Sequence, residues 1–592
     1  MPPLPQPPFL PSTPEELKRL GWSGLDVLII SGDAHIDHPA FPAALLGRLL
    51  VSRGFRTAIL PRPIEPQELT AFGTPRLFVA VAPGTMDSMV ANYTALKKPR
   101  RDDPFWPDGD LRRRPDRALI NYCNLARRAF GKSLPLVAGG VEASMRRFAH
   151  YDYWSDSIRR PVLLDCGADL LLHGMGEGPI LELAAALDRG APAEPETWAT
   201  IPGAVWKLPA SATVPDALDL PSVETVQDDP LAFVEAHRAA TRPLQRRPLR
   251  QTCAGKAVIC NPAWAPRDSA LFDESQLLPY SRNIHPIHGV AELPALTQVR
   301  FSVCSHRGCF GGCAFCSIGA MQGKDILTRP ADSVLAEIRA MTAHPAFRGT
   351  IQDLGGPSAN MYGTGCTDQG CARPSCLFPN ICSKLERNQG PYLDLLTRAA
   401  ALPGVRHLFV TTGLRSDLAA HDPRLLETIT RKHTSGHLKL APEHISAAVL
   451  EAMRKPGAQH FDEVLAAFRR TTSAAGRSQF LLPYFMAAHP GCTMGDMADL
   501  AEFLADRHLI VEQCQIFTPT PGTASSVAYA TGISPDTGEK IFVERDPKRK
   551  ELQKALALRH LPEMRPLVLQ ALRLAGRPGL ARKLLPPRPR QT

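Results

Sequence analysis

The stretch Cys304-Ser305-His306-Arg307-Gly308-Cys309-Phe310-Gly311-Gly312-Cys313-Ala314-Phe315-Cys316 decides how the rest of this chain is read. Cys309, Cys313 and Cys316 are separated by three and then two residues, and the glycines between the first two let the loop close around a compact ligand. Soft thiolates that near to one another suit an iron–sulfur cluster or zinc. Three cysteines on a four-iron cluster leave one iron without a protein ligand, and an open metal position is what a reacting molecule needs. The alternative is a zinc knuckle completed by Cys304 or His306, because zinc ligands tolerate gaps of about two to four residues.

Outward from that loop, strand-like runs at residues 298–303, 349–353, 407–411, 437–440, 479–486 and 511–517 alternate with helical patterns such as 332–342 and 495–506. Repeated βα units of this size predict a partial barrel of six strands within residues 295–532. The chemically unusual residues follow the strand ends. After the cysteine loop come Leu354-Gly355-Gly356-Pro357, Thr412-Gly413-Leu414-Arg415, Ala441-Pro442-Glu443-His444, His489-Pro490-Gly491 and Thr518-Pro519-Thr520-Pro521-Gly522-Thr523. Loops at the carboxyl ends of barrel strands build active sites, so one rim is expected to carry the function.

Upstream, residues 1–24 have prolines at positions 2, 3, 5, 7, 8, 11 and 14 and read as an extended arm, with order expected from Leu25 onward. Across residues 25–190, buried-type runs at 25–30, 57–60, 77–82, 134–138 and 169–173 alternate with helical patterns, which predicts a parallel sheet covered on both faces. The first of these runs enters Ser31-Gly32-Asp33-Ala34-His35-Ile36-Asp37-His38, a loop rich in ligating groups at a sheet's carboxyl end. Residues 191–294, rich in Pro, Ala, Thr and charge, read as a linker and irregular lead-in, and His285 and His288 within them read as packed histidines rather than ligands. Residues 533–592 read as a helical basic extension with a loose end over 584–590.

A chain of 592 residues with 44% hydrophobic and 21% charged residues has the composition of a soluble protein of several domains. It shows no apolar run of about 18 residues and no basic leader into an apolar core, so a cytoplasmic location without a membrane partner is expected. Eight of the fourteen cysteines fall within residues 304–382, which reads as metal binding in a reducing compartment. Cys366, Cys371, Cys376 and Cys382, spaced by four, four and five residues, are a candidate second metal site for zinc or an auxiliary iron–sulfur cluster, beside the alternative of thiols with other roles. The net charge of +10 admits RNA as a partner without establishing it, since basic runs are solvated surface by default.

Cys309-x3-Cys313-x2-Cys316 with Phe315 before its last cysteine resembles the signature of radical S-adenosylmethionine (SAM) enzymes. The longer runs HRGCFGGCAFCSI and MQGKDILTRP resemble the YgiQ family among them. That resemblance implies an α/β chain: an N-terminal Rossmann-like, cobalamin-binding-domain-like parallel sheet, then a radical SAM partial (β/α)6 barrel and a short helical basic C-terminal extension. It implies a [4Fe-4S] cluster on Cys309, Cys313 and Cys316, with SAM chelating the open iron. Phe315 would lie near the adenine and Gly355-Gly356-Pro357 would meet the SAM amino group, although proline stands where the family carries an acidic residue. Arg415 and Glu443 are implied as cofactor or substrate contacts, or else as a structural ion pair. The implied reaction takes one electron from a flavodoxin- or ferredoxin-like donor, cleaves SAM to a 5'-deoxyadenosyl radical and acts on an unidentified substrate; no catalytic residue is assigned. Asp33 and His35 match part of the cobalamin pattern Asp-x-His-x-x-Gly, but His38 holds the glycine position, which argues against cobalamin. Two alternatives remain: a tRNA-modifying methylthiotransferase-like enzyme, whose barrel Pro490-Gly491 and Pro521-Gly522-Thr523 resemble, and a non-catalytic metal-stabilised binding protein.

Overall fold

The computed structural model describes residues 4–110, 114–242, 246–266, 268–290, 292–366, 368 and 371–585. The chain divides into two units: residues 1–302 with 320–323 and 327–347, and residues 303–319 with 324–326 and 348–592.

In the first unit, β1 (Val27–Ser31), β2 (Thr57–Pro61), β3 (Phe78–Ala82), β4 (Leu136–Ala138) and β5 (Leu170–Leu172) lie parallel in the order β2-β1-β3-β4-β5. Leu28, Ile30, Val79 and Val81 face one apolar core, whereas Val27, Ile29, Phe78 and Ala80 face another. Strands apolar at every position therefore bury both faces, as the sequence leads one to expect of a parallel sheet.

The sheet does not stop where a linker was expected. Four more strands, β6 (Ala204–Pro209), β7 (Leu218–Asp219), β8 (Leu249–Cys253) and β9 (Lys256–Cys260), extend it in the order β5-β6-β9-β8-β7, so that it becomes mixed. The physical reason for the misreading is their pattern. β8 alternates buried Leu249, Gln251 and Cys253 with half-exposed Arg250 and Thr252, a period-two signal diluted by polar residues. Between β8 and β9, Ala254 and Gly255 both take positive φ (46° and 76°), the signs that a two-residue hairpin turn of the primed type requires.

The proline-rich arm is also firmer than expected. Prolines lack an N–H but keep their carbonyls, and Arg48 donates to those of Pro7 and Pro8 (3.2 and 3.0 Å) while its guanidinium pairs with Asp37. Leu10 is fully buried, and a Cβ at Gly47 would come within 2.6 Å of it, so glycine there makes room for the arm. Order begins before Leu25, because Thr13 and Glu16 form a reciprocal cap on the helix Pro14–Arg19. The histidines of the former lead-in are packed: the His285 ring stacks on His35 at 4.7 Å, and His288 Nε2 accepts the His35 N–H at 2.9 Å.

In the second unit, strand positions follow one another in chain order. β10 (Ser302–Cys304), of which Val303 and Cys304 belong to this unit, neighbours β12 (Asp353–Gly355). β11 (Thr350–Ile351) pairs in parallel with β13 (His407–Leu408), and a parallel bridge joins Leu414 to Leu440 in β14 (His437–Glu443). β14, β15 (Phe480–Ala487) and β16 (Cys514–Ile516) form a parallel three-stranded sheet. Helices including Gly390–Ala400, Gln459–Ala474 and Met494–Asp506 connect them, and Pro547–Ala557 and Arg565–Leu574 follow. The end expected to be loose lies, from residue 586, outside the described residues. Among the described residues no helix is long and apolar enough to cross a membrane.

Candidate active site

The cysteine loop follows β10, and main-chain bonds from several other loops of the second unit fix it. Ser305 N–H donates to the Gly355 carbonyl (2.7 Å), Ala314 N–H to that of Met453 (3.0 Å), and Ser525 N–H to that of Ala314 (2.9 Å). Cys316 N–H closes the loop on Cys313 O at 3.2 Å. A side chain at Gly312, whose φ is +62°, would collide with the Pro374 carbonyl, so only glycine fits.

His306, a candidate fourth ligand of a zinc knuckle, is otherwise engaged. Its Nε2 is 3.0 Å from Ser358 O and its Nδ1 3.1 Å from Ser305 Oγ, while burial pulls its pKa down to about 4. Cys304 Sγ donates to the His306 carbonyl at 3.4 Å. A Cβ at Gly356 would lie 2.6 Å from the His306 ring, and one at Gly355 would lie 2.9 Å from Thr412 Oγ1. Close backbone packing thus accounts for both glycines, and it leaves their main chain as the only group they can offer a ligand.

Arg415 is drawn to the thiols. Its Nη1 lies 3.5 Å from Cys313 Sγ, its Nη2 2.8 Å from Asp417 Oδ2, and its backbone exchanges two hydrogen bonds with the Asn360 side chain (3.0 and 2.9 Å). The ion pair that Arg415 makes is thus with Asp417, fully buried, rather than the pairing with Glu443 weighed from the sequence. Burial works against the Arg415 charge, but Asp417, Cys313 and Cys309 keep its pKa well above the ordinary value. Burial raises the Cys309 thiol, and burial with Cys313 beside it pushes that of Cys316 up to about 12. A Cβ at Gly311 would meet both Arg415 Nη1 (2.5 Å) and Cys309 Sγ (3.3 Å), so Cys309 and Cys313 both lie beside this buried cation. The donor set is three soft thiols next to a positive charge, which fits an iron–sulfur cluster. Among the described residues, no three His, Cys, Asp or Glu side chains stand close enough to hold a single metal ion.

Glu443 ends β14 with a φ of +66°, a conformation rare for a residue with a side chain. Burial raises its carboxyl pKa, with Lys455 and Arg415 pulling it back. Lys455 itself donates to the Ala441 carbonyl at 2.7 Å. Phe315 meets the edge of His489 (6.1 Å between rings), and His489 Nε2 is 2.7 Å from Ser525 Oγ. Asp417, Lys455 and Asn360 escaped the sequence reading. Only Asp417 left a signal there, two residues after Arg415 in the first turn of the helix Ser416–His421.

Comparison with known proteins adds the family. Residues 9–302 match the model described as Radical SAM N-terminal, and residues 512–591 match a domain of unknown function, DUF3362. A UPF0313 protein of Geobacter sulfurreducens is 46% identical over 98% of this chain and 96% of its own length. This chain belongs to the UPF0313 family, the YgiQ family of radical SAM proteins. It is accordingly a radical SAM enzyme.

Among solved structures, one of the radical SAM methyltransferase TsrM from Kitasatospora setae, with cobalamin and [4Fe-4S] cluster bound, is similar with a TM-score of 0.49 and 16% identity, covering 85% of this chain and 77% of that one. One of the cobalamin-dependent SAM radical enzyme OxsB, with aqua-cobalamin bound, has a TM-score of 0.48 and 10% identity, covering 84% and 54%. The expectation against cobalamin is corrected here: the TsrM and OxsB structures to which this chain is similar were both solved with cobalamin bound.

Proposed function

We propose that Cys309, Cys313 and Cys316 hold a [4Fe-4S] cluster at the mouth of a partial (β/α)6 barrel, and that SAM binds beside it for reductive cleavage and hydrogen abstraction from a further substrate. The observation that carries this reading is the three-thiol loop, at the carboxyl end of the first of several strands in chain order, with buried Arg415 against Cys313. When bound, the reduced cluster would supply one electron to the sulfonium C–S bond of SAM, giving methionine and a 5'-deoxyadenosyl radical and leaving the cluster oxidised by one electron.

The chain's own part is charge, shape and exclusion of water. Arg415 offsets the charge of three thiolates, and Asp417 fixes where its guanidinium points. Gly356 offers its main-chain carbonyl to the SAM amino group, while the Gly355 carbonyl, held by Ser305 N–H and Oγ (2.7 and 3.0 Å), fixes the loop, and Pro357 follows in place of an acid. Phe315, backed by His489 and Phe517 (5.1 Å between those rings), supplies an apolar wall against which an adenine can lie. A flavodoxin- or ferredoxin-like protein would meet the one-electron demand.

The test is anaerobic. Chain reconstituted with iron and sulfide, reduced, and given SAM should carry about four irons on this loop and form 5'-deoxyadenosine and methionine. A fully loaded chain that neither binds SAM nor forms 5'-deoxyadenosine would overturn the proposal.

A further inference from the structure

The second cysteine segment has a geometry of its own. Cys366 pairs across a two-residue antiparallel ladder with Leu385, whose N–H donates to the Cys382 carbonyl at 3.1 Å, while Cys382 N–H donates to the Cys376 carbonyl at 2.8 Å. Arg373 N–H donates to Cys371 Sγ at 3.4 Å, and Lys324 Nζ donates to the Cys371 carbonyl at 2.8 Å and that of Arg373 at 3.3 Å. Four cysteines are thereby gathered in one loop beside one ammonium group. All four are free thiols.

Their chemistry agrees with that placement. An N–H aimed at a sulfur is the outer support that metal thiolates commonly have. The loop is held besides by a two-residue ladder, by a small core of Phe310, Met361, Cys376, Leu377, Leu385 and Leu418, and by Arg373, which donates to the Phe378 and Asn380 carbonyls (3.4 and 3.1 Å).

We infer that Cys366, Cys371, Cys376 and Cys382 form a second centre, an iron–sulfur cluster held by four thiolates, that braces the first cysteine loop. Four protein sulfurs leave no open position, so the centre is structural. Each thiol loses its proton as metal binds, and binding draws the loop in around it. The bracing runs through three contacts: Ser375 Oγ donates to the Gly311 carbonyl (2.7 Å), Cys376 N–H to that of Phe310 (3.0 Å), and Pro374 lies against Gly312.

The Cys309→Ala/Cys313→Ala/Cys316→Ala triple variant tests this without reliance on the function proposed above, because it removes the other thiol set. It should retain about four irons and four sulfides per chain. Iodoacetamide, followed by peptide mass spectrometry, should leave Cys366, Cys371, Cys376 and Cys382 unmodified until a chelator removes the metal. If the triple variant does not fold, wild type decides: total iron should exceed the first cluster's share by about four more irons. Iron no greater than the first site alone accounts for after anaerobic reconstitution, with the four thiols alkylated at once, would overturn the inference.

Discussion

The two units hold their loops in opposite ways. After β1 in the first unit, buried charges are matched by charges of the chain itself: Asp37 by Arg48, Asp103 by Arg62 and Arg114, Asp33 by Arg114. In the second unit, the loop after β10 presents thiols to one buried guanidinium and keeps soft donors in reserve. The contrast teaches that the first unit pairs these buried charges among its own side chains, whereas the thiol loop of the second, on the function proposed for it, is completed by what it binds. All six tryptophans (22, 106, 154, 198, 206 and 264) lie in the first unit, so tryptophan fluorescence follows that unit alone while visible iron–sulfur absorbance follows the other.

The largest expected effect therefore separates the two signals. Cys313→Ala should lower 5'-deoxyadenosine formation by at least about 1000-fold, since the loss of one of three ligands unseats the cofactor rather than weakening one contact. Tryptophan-monitored unfolding should hardly move. A large shift in that transition would show that the first unit depends on the thiol loop, and the contrast would fail.

The next effect is its mirror image. Arg48 and Asp37 are each fully buried, joined at 2.5 and 2.6 Å, and the Ser281 N–H also donates to Asp37 at 2.7 Å. Arg48→Met leaves a carboxylate buried without its partner and should cost about 3–5 kcal/mol in the tryptophan-monitored transition. Arg48→Met/Asp37→Leu should recover most of that loss. If the double variant is no better than the single one, the stranded charge is not the cause.

The same contrast explains what the sequence could show. Val27-Leu28-Ile29-Ile30 announces a strand because a strand covered on both faces needs nothing but apolar residues. β8 does not announce itself, because one of its faces is polar and its register depends on β9 and β7. The thiol spacing at 309, 313 and 316 is legible as chemistry since ligands close in sequence act together. Arg415 is different: 102 residues separate it from Cys313, and its choice of Asp417 is made by tertiary packing. Gly356 looks like a ligand-binding glycine in one dimension, yet the His306 ring is what excludes a side chain there. The arm misled for a related reason, since prolines forbid a helix but do not forbid burial under an arginine.

The smallest effect concerns acid, and it again belongs to the first unit. Burial, followed by Arg147, depresses the His173 pKa from 6.5 to about 3, against the opposing bond to the Asn261 carbonyl at 3.0 Å. Burial and Arg146 do the same to His150, opposed by the Phe148 carbonyl and Asp152. Between about pH 6.5 and 3 the unfolded chain takes up protons at these positions that the folded chain refuses. The stability they confer is thus fully present above pH 6.5 and is lost as pH falls toward 3, with a slope of up to about 1.4 kcal/mol per pH unit for each histidine. His173→Gln keeps a donor for Asn261 but cannot titrate. It should flatten the slope of the tryptophan-monitored transition between pH 6 and 4 by about one histidine's share, and an unchanged slope would mean that His173 is protonated in the folded unit.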